Sequence, residues 1–564
     1  MSDKYILGVD FGTLSVRSTI VRISDGFEKG TASVRYEHGV MDTHLTAGNN
    51  EVLPPDFALQ VPRDYLESFQ RSVHEAVENS GVAVHHIIGI GIDFTSATIL
   101  PTDEKGTPLC EFPEFSNRPH AYVKLWKHHG GNDQAERLLQ VAKERNEWWL
   151  PRYGGLLSSE LALPKVLETF EKDREIYDRA AYFVNALDWV NWLLTGKLVY
   201  ASADSGFKRH YQDGKYPSPE YLEAVSPGFG SMYEEKMAGT IQPLASKAGE
   251  LTEKMAQWLG LEPGISVSVG NIDAHVTAAA IQAVEPGIMT AIIGTSACYI
   301  ISAPEFKEVP GMLGITYGGV AEGSWCFEAG QSGFGDIFAW YIANCVPAEY
   351  KEAAKREDLN LHDYLTKKAS VQEVGEHGLI ALDWHNGNRS ILSNHNLSGL
   401  IIGQTLTTRP EDIYRALMES CAFGARKIIE TMKEHGIEIK EIVAAGGLLK
   451  NKWLMQLLSD VTGIPLSISE AVMVGALGSA VYGAVAAGCY NTLEEASAAM
   501  GNKVSNVYKP NEDRSKKYDK LYQEYLILHD YFGTGTNQVM SRLKKIKEEA
   551  TKSKIKKEAV NTPL

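Results

Sequence analysis

Apolar residues fall in short continuous runs, each closed by a polar or acidic residue. Tyr5-Ile-Leu-Gly-Val-Asp10-Phe is such a run. A turn at Gly12-Thr13 follows, and Ser15 to Ile23 returns as a second strand. Asp10 stands near the strand tip, where the run would place a core residue. Thr31 to Val40 continues as a third strand, and residues 41–60, polar and proline-containing, read as an inserted loop. Asp64 to Asn79 has helical spacing through Tyr65, Phe69, Val73 and Val77. His86-Ile-Ile-Gly-Ile-Gly-Ile-Asp93 is apolar throughout, as in sheets covered on both faces, and runs into Phe94-Thr95-Ser96-Ala97. Ligands bind beyond the carboxyl ends of such strands, so Asp93, Ser96 and Ala97 are site candidates; the alternative is a plain polar turn.

Phe115 to His129 reads as a loop running into a helix, with Arg118 and Trp126 prominent. Trp148, Trp149, Trp189 and Trp192 read as helix-packing aromatics. Ser202 to Tyr211 reads as a polar loop with a basic end at Lys208, by default a solvated charge. Ile265 to Asp273 is a strand with a carboxylate at its end, followed by a small-residue helix from Val276 to Val284.

Ala291-Ile-Ile-Gly294-Thr295-Ser296-Ala then repeats the opening device of strand, Gly-Thr turn and returning strand. Two similar lobes are implied, each able to cradle phosphate on backbone N–H groups. Asp10 aligns with Ile292, so only the first lobe carries a metal-facing carboxylate. Further on, Trp325 to Gly335, including Glu328, reads as a ligand-facing turn. Thr408 to Glu411 reads as a capping box before a long helix ending near His435. Glu441 to Ala445 is a strand entering Gly446-Gly447, where a flat ligand can approach the backbone, and Asn451 follows at a helix start. Val474 to Gly488, rich in Gly and Ala, should be a tightly packed helix.

The bulk composition narrows the classes. The 564 residues imply two domains or more. A net charge of −16 argues against a nucleic-acid partner, which needs a basic face. No run reaches membrane-span length, and the N-terminal residues lack a secretory pattern, so a cytoplasmic protein is expected. Cys110, Cys298, Cys326, Cys345, Cys421 and Cys489 are scattered singly and read as reduced, buried thiols. From Arg542 to Glu558, eight Lys or Arg against three Asp or Glu read as a solvated helix or frayed end.

Several stretches together carry a resemblance: Asp10-Phe-Gly-Thr13, Gly91 to Thr98, Asn117 to His128, Gly270 to His275, Gly294-Thr-Ser296 and Gly446-Gly447. Ser398 to Gly403, running on into Asp412 to Glu419, adds a signature in which Gln404 stands where an aliphatic residue is preferred. In this order they resemble the FGGY carbohydrate kinases, and within these the members that phosphorylate L-ribulose. The resemblance implies an α/β chain with a two-lobed actin/hexokinase/Hsp70-like ATPase fold, duplicated ribonuclease-H-like domains around a central cleft. It divides the chain into 1–284 (sugar, Mg²⁺ and phosphate side), 285–535 (nucleotide side) and a charged tail, 536–564.

The implied reaction is ATP-dependent phosphorylation of a ketopentose, foremost L-ribulose to L-ribulose 5-phosphate in L-arabinose catabolism. The alternatives are a kinase of xylulose, ribitol or glycerol, and a non-catalytic nucleotide-dependent binding protein. Asp273 would be the general base, with a helix-capping role as its bland alternative. Asp93, Ser96, Ala97, Trp126, Lys208, Asp273 and Glu328 would bind sugar. Gly12, Thr13, Ser15, Arg17, Gly294, Thr295 and Ser296 would bind phosphate, Gly446, Gly447 and Asn451 adenosine, and Asp10 Mg²⁺. A small-molecule sugar is the expected partner, without nucleic acid or membrane, and a homodimer is compatible with this reading.

Overall fold

The computed structural model describes residues 3–560 and falls into two compact units. The first comprises Met1–Thr290, Ile300–Glu328 and Ile468–Val504; the second comprises Ala291–Tyr299, Ala329–Ser467 and Ser505–Leu564.

The first unit is organised on a sheet ordered Lys247–Glu250, Ser266–Ser268, Ile87–Phe94, Tyr5–Phe11, Ser15–Arg22, Glu28–Arg35. The opening hairpin forms as its pattern predicts: Tyr5–Phe11 pairs antiparallel with Ser15–Arg22, and Gly12 N–H closes the turn on Ser15 O at 3.0 Å. The third strand is Glu28–Arg35, displaced from the predicted Thr31 to Val40. Every residue of Tyr5–Phe11 is buried, as continuous apolar runs in two-sided sheets require. Helix Pro62–Ser80 buries Tyr65, Phe69 and Val73 beneath the sheet.

Helix Val474–Ala486 packs on the same sheet, and its glycines let it come close. A Cβ on Gly91 would fall on Ser479 O, one on Gly8 on Ala476 O, and one on Gly478 on Val276 O. Glycine at 8 and 91 is therefore a steric requirement of the sheet where this helix covers it, and glycine at 478 a requirement of the helix's contact with Val276. The first unit also holds a four-stranded sheet of Leu59–Gln60, Val123–Lys124, Ile99–Thr102 and Tyr182–Asn185.

In the second unit the segments 329–331, 297–299 and 291–293 and the strand Glu441–Ala445 lie in that order. The long helix Pro410–Glu434 buries Tyr414, Leu417, Cys421 and Ile428. Its capping box lies one residue beyond the predicted one. Pro410 takes the first helical position, so Arg409 is the cap and Asp412 Oδ2 accepts from Arg409 N–H at 2.8 Å. Helix Lys452–Thr462 ends at Gly463 with φ 68°, a left-handed C-cap.

Four other local readings change. The segment after Phe115 runs through a short 3₁₀ turn into strand Val123–Lys124, and the next helix starts only at Asn132. The polar segment at Ser202 is helix Ser202–Lys208, its polar residues buried against neighbouring elements. Trp325–Gln331 is a strand, and the glycines after it form the approach to helix Gly335–Asn344. Cys345 is exposed, and Cys298 and Cys489 are half-buried, so the buried reading holds for Cys110, Cys326 and Cys421. The basic tail forms helix Val539–Val560, anchored at its start by buried Met540.

Candidate active site

Parallel neighbours bring their carboxyl ends to one edge of a sheet, and here three aspartates follow. Tyr5–Phe11 pairs in parallel with Ile87–Phe94, in a register that sets Asp10 beside Asp93. Asn271–Ile272 pairs on the other side of Ile87–Phe94, Asn271 facing Asp93 and Ile272 facing Phe94, so Asp273 emerges one residue past that edge. Residues as far apart as Asp10 and Asp273, 263 positions, are thus brought to one edge by strand order alone.

The electrostatics of this edge are unfavourable by design. Burial raises the Asp10 carboxyl above its usual range against the pull of Arg17, whose Nη2 donates to Asp10 Oδ1 at 3.0 Å. Burial, with Asp10 and Asp273 nearby, pushes Asp93 well above the ordinary value. Its Oδ2 accepts from Ser479 Oγ at 2.5 Å, while its buried Oδ1 accepts no hydrogen bond. Burial and the Asp10 charge push Asp273 up to about 7. Its Oδ1 accepts from Ala274 N–H at 2.7 Å, but the cap position of the helix is Ile272. Asp273 is the first helical residue, and its carboxylate takes the Ala274 N–H that Ile272 leaves without a side-chain cap.

An orphaned buried carboxylate oxygen beside a second carboxylate suits a hydrated Mg²⁺, which takes one or two protein carboxylates and keeps its waters. Among the described residues no group of three or more His, Cys, Asp or Glu forms a dedicated metal cage.

A second constellation in the same unit carries the predicted sugar contacts. Lys208, at the end of helix Ser202–Lys208, donates to Glu328 Oε2 at 2.8 Å and Oε1 at 3.1 Å, both residues being buried. His275 Nε2 stands 3.4 Å from the same carboxylate. Lys208, with the His275 ring beside it, holds Glu328 below the usual carboxylate range against its burial. Lys208 is thus part of a buried charged frame, not a solvated surface lysine.

The Ser96-Ala97 turn places Ala97 at φ 44°, a left-handed conformation rare for a residue with a side chain. Ala97 N–H donates to Asp204 Oδ1 at 3.4 Å, and Ala97 O accepts from Lys165 Nζ at 2.7 Å. Trp126, half-buried, donates Nε1–H to Thr13 Oγ1 at 3.1 Å, joining its segment to the opening turn. Gln60 Nε2 donates to Thr13 O at 2.7 Å.

The second unit brings its own loops together. Gly294 O accepts from Gly335 N–H at 3.0 Å, and Thr295 O from Phe334 N–H at 2.8 Å. Gly446, at φ 111°, packs so closely on Ile293 that a Cβ would meet the backbone there. Gly447 has open space where a side chain would be. Asn451 caps helix Lys452–Thr462, accepting from Leu454 N–H at 3.0 Å and donating to Thr366 Oγ1 at 3.1 Å.

The sequence pattern does not single out Ser479, His275, Asp204 or Lys165. Ser479 is a lone hydroxyl in a glycine-alanine helix, and His275 stands two residues after Asp273. Nothing local marks Asp204 or Lys165.

Residues 5–280 match the FGGY family of carbohydrate kinases, N-terminal domain, and residues 289–487 match its C-terminal domain. A ribulokinase of Mycolicibacterium smegmatis is 49% identical over 548 residues, 97% of each chain. A ribulokinase of Anoxybacillus flavithermus is 46% identical over 557 residues, 98% of each. Among solved structures, a gluconate kinase from Lactobacillus acidophilus shares the fold with a TM-score of 0.78 at 17% identity, over 95% of this chain and 99% of that one. A xylulose kinase from the same organism aligns with a TM-score of 0.77 at 17% identity, over 93% and 98%. By these matches and the α/β fold they share, the chain belongs to the FGGY family of carbohydrate kinases.

Proposed function

We propose that the protein transfers the terminal phosphoryl group of ATP to L-ribulose, giving L-ribulose 5-phosphate for L-arabinose catabolism. The observation that carries the reaction type is the carboxylate edge, where Asp273 is held at about 7, near the optimum for a general base at neutral pH. The choice of sugar rests on the ribulokinase relatives, 43–49% identical over almost the whole chain.

The Asp273 carboxylate takes the proton of the sugar hydroxyl as its oxygen attacks the γ-phosphorus, and the β–γ bridging bond breaks to release ADP. Phosphoryl transfer has a loose transition state, so the remaining groups act by positioning and charge. Ser96, Ala97, Trp126 and Asp93 line the sugar, with the Lys208–Glu328 pair as a fixed donor and acceptor frame. Buried polar groups of that kind discriminate strongly against sugars that leave them unmatched. Gly12, Thr13, Ser15 and Arg17 would bind phosphate, as would Gly294, Thr295 and Ser296. Gly446, Gly447 and Asn451 hold adenosine. Asp10, with the orphaned oxygen of Asp93 beside it, would hold Mg²⁺, which neutralises phosphate charge when bound.

The same reading assigns 1–284 to sugar, metal and phosphate, 285–535 to nucleotide and 536–564 to a tail. It further places the protein in the cytoplasm and admits a homodimer. Among the described residues no helix is long and apolar enough to cross a membrane.

A coupled ADP-release assay over L-ribulose, D-xylulose, ribitol and glycerol tests the substrate. Turnover highest with L-ribulose is expected; turnover with another member of the set and none with L-ribulose would reassign it.

A further inference from the structure

Lys165 lies in helix Ala162–Lys172 with its side chain fully buried. Its Nζ donates to Ala97 O at 2.7 Å and to Leu125 O at 2.8 Å. The first acceptor belongs to the left-handed turn after Asp93, and the second immediately precedes Trp126. Among the described residues no carboxylate lies within ion-pair distance of this ammonium group. Its neighbour Lys124, by contrast, pairs with Glu168 at 2.7 Å, and His128 shares that carboxylate at 2.8 Å.

A buried cation without a paired anion is costly, and an apolar residue of similar volume would pack in its place with less penalty. The cost is visible in the group itself: burial lowers Lys165 to about 7, with Lys124 and Lys208 opposing the charge and Glu160 and Asp204 supporting it. What the lysine supplies in return is a bond to each of two separate backbone segments. One of them holds Ala97 at φ 44°, a strained position that persists only when its surroundings over-determine it.

We infer that Lys165 is a positioning residue for the sugar site, clamping the Ser96-Ala97 turn and the Trp126 segment into one rigid wall. The inference rests on the sugar-kinase reading, since it gives a purpose to residues that reading places against the sugar. Lys165 touches no substrate; it acts through the two carbonyls.

The test is Lys165→Met, which keeps the volume and removes the donors, with Lys165→Gln as a second variant that keeps a shorter, neutral amide donor. Thr169→Val, on the same helix as Lys165, is the control: it removes a bond from Lys124 and leaves the clamp intact. Sugar and nucleotide binding are measured separately by titration calorimetry, along with KM and kcat. Lys165→Met should raise the sugar Kd and KM by about tenfold or more, as expected for a displaced binding wall. Nucleotide affinity should stay within about twofold, Lys165→Gln should fall between, and Thr169→Val should bind sugar normally. An unchanged sugar Kd, sugar and nucleotide constants that move together, or two Lys165 variants that do not fold beside a folded Thr169→Val would each overturn the clamp. A wild type that binds none of the four sugars or polyols would sink the ketopentose reading and this inference with it. A wild type that binds one, with variants that bind it equally, overturns the inference alone.

Discussion

Asp273 and Asp93 differ in what their raised carboxyls imply. As the proposed base Asp273 would act only when ionised, so the rate should climb with pH through about 7 and level off above it. A profile flat from well below that value would remove Asp273 as the base. Asp273→Asn should lower kcat by about 10²–10⁴-fold, the usual share of a general base, while nucleotide titration stays close to wild type. Asp93 is the stability counterpart. Its folded value lies well above the unfolded one of about 3.9, so its ionisation costs folding free energy as pH rises from there. Asp93→Asn should therefore raise the Tm of the nucleotide-free protein, with the gap widening from about pH 5 to pH 8, and should lower activity. A Tm gap that shrinks with rising pH would contradict this sign. Asp10 and Asp273 stood out in the sequence because each interrupts or ends an apolar run. Their mutual repulsion did not, because it depends on which strands are neighbours.

At the scale of elements, glycine has two uses here that respond oppositely to substitution. A Cβ on Gly91 meets the backbone of helix Val474–Ala486, and neither partner can move without separating sheet from helix. Gly91→Ala should cost about 3 kcal/mol or more in urea denaturation, at or beyond the upper end for overpacking. Gly447 has open space around its missing side chain. Gly447→Ala should leave stability within about 0.5 kcal/mol and weaken nucleotide binding, read by calorimetry. Equal stability losses in both variants would refute the distinction. The helices and strands themselves were largely legible: the opening hairpin, Ile87–Phe94, Pro62–Ser80 and Pro410–Glu434 all follow from period and punctuation. Ser202–Lys208 was not legible, because its polar face is buried and the amphipathic signal is therefore absent.

Across the whole molecule, the Lys208–Glu328 pair links residues 120 positions apart inside the first unit. Removing one buried partner strands the other, so Lys208→Met should cost about 3–5 kcal/mol. Adding Glu328→Gln to that variant should recover much of the loss, since the pair against two neutral groups is nearly balanced. A double-mutant cycle by chemical denaturation checks this; additive losses would mean that the two side chains act independently.

Sequence alone determined the strand–turn–strand devices, the carboxylates at strand ends, the family, and the general chemistry of a phosphate-handling kinase. These are properties of local pattern and of short motifs in a set order. The tertiary structure decided which of those carboxylates share one edge, that Lys208 is buried against Glu328 and not solvated, and that Ser479 meets Asp93, His275 meets Glu328, and Asp204 and Lys165 meet Ala97. The physical reason is the same in each case. Burial and partnership depend on strand order and helix packing across hundreds of residues, and a charged residue looks alike in sequence whether water or a buried partner receives its charge.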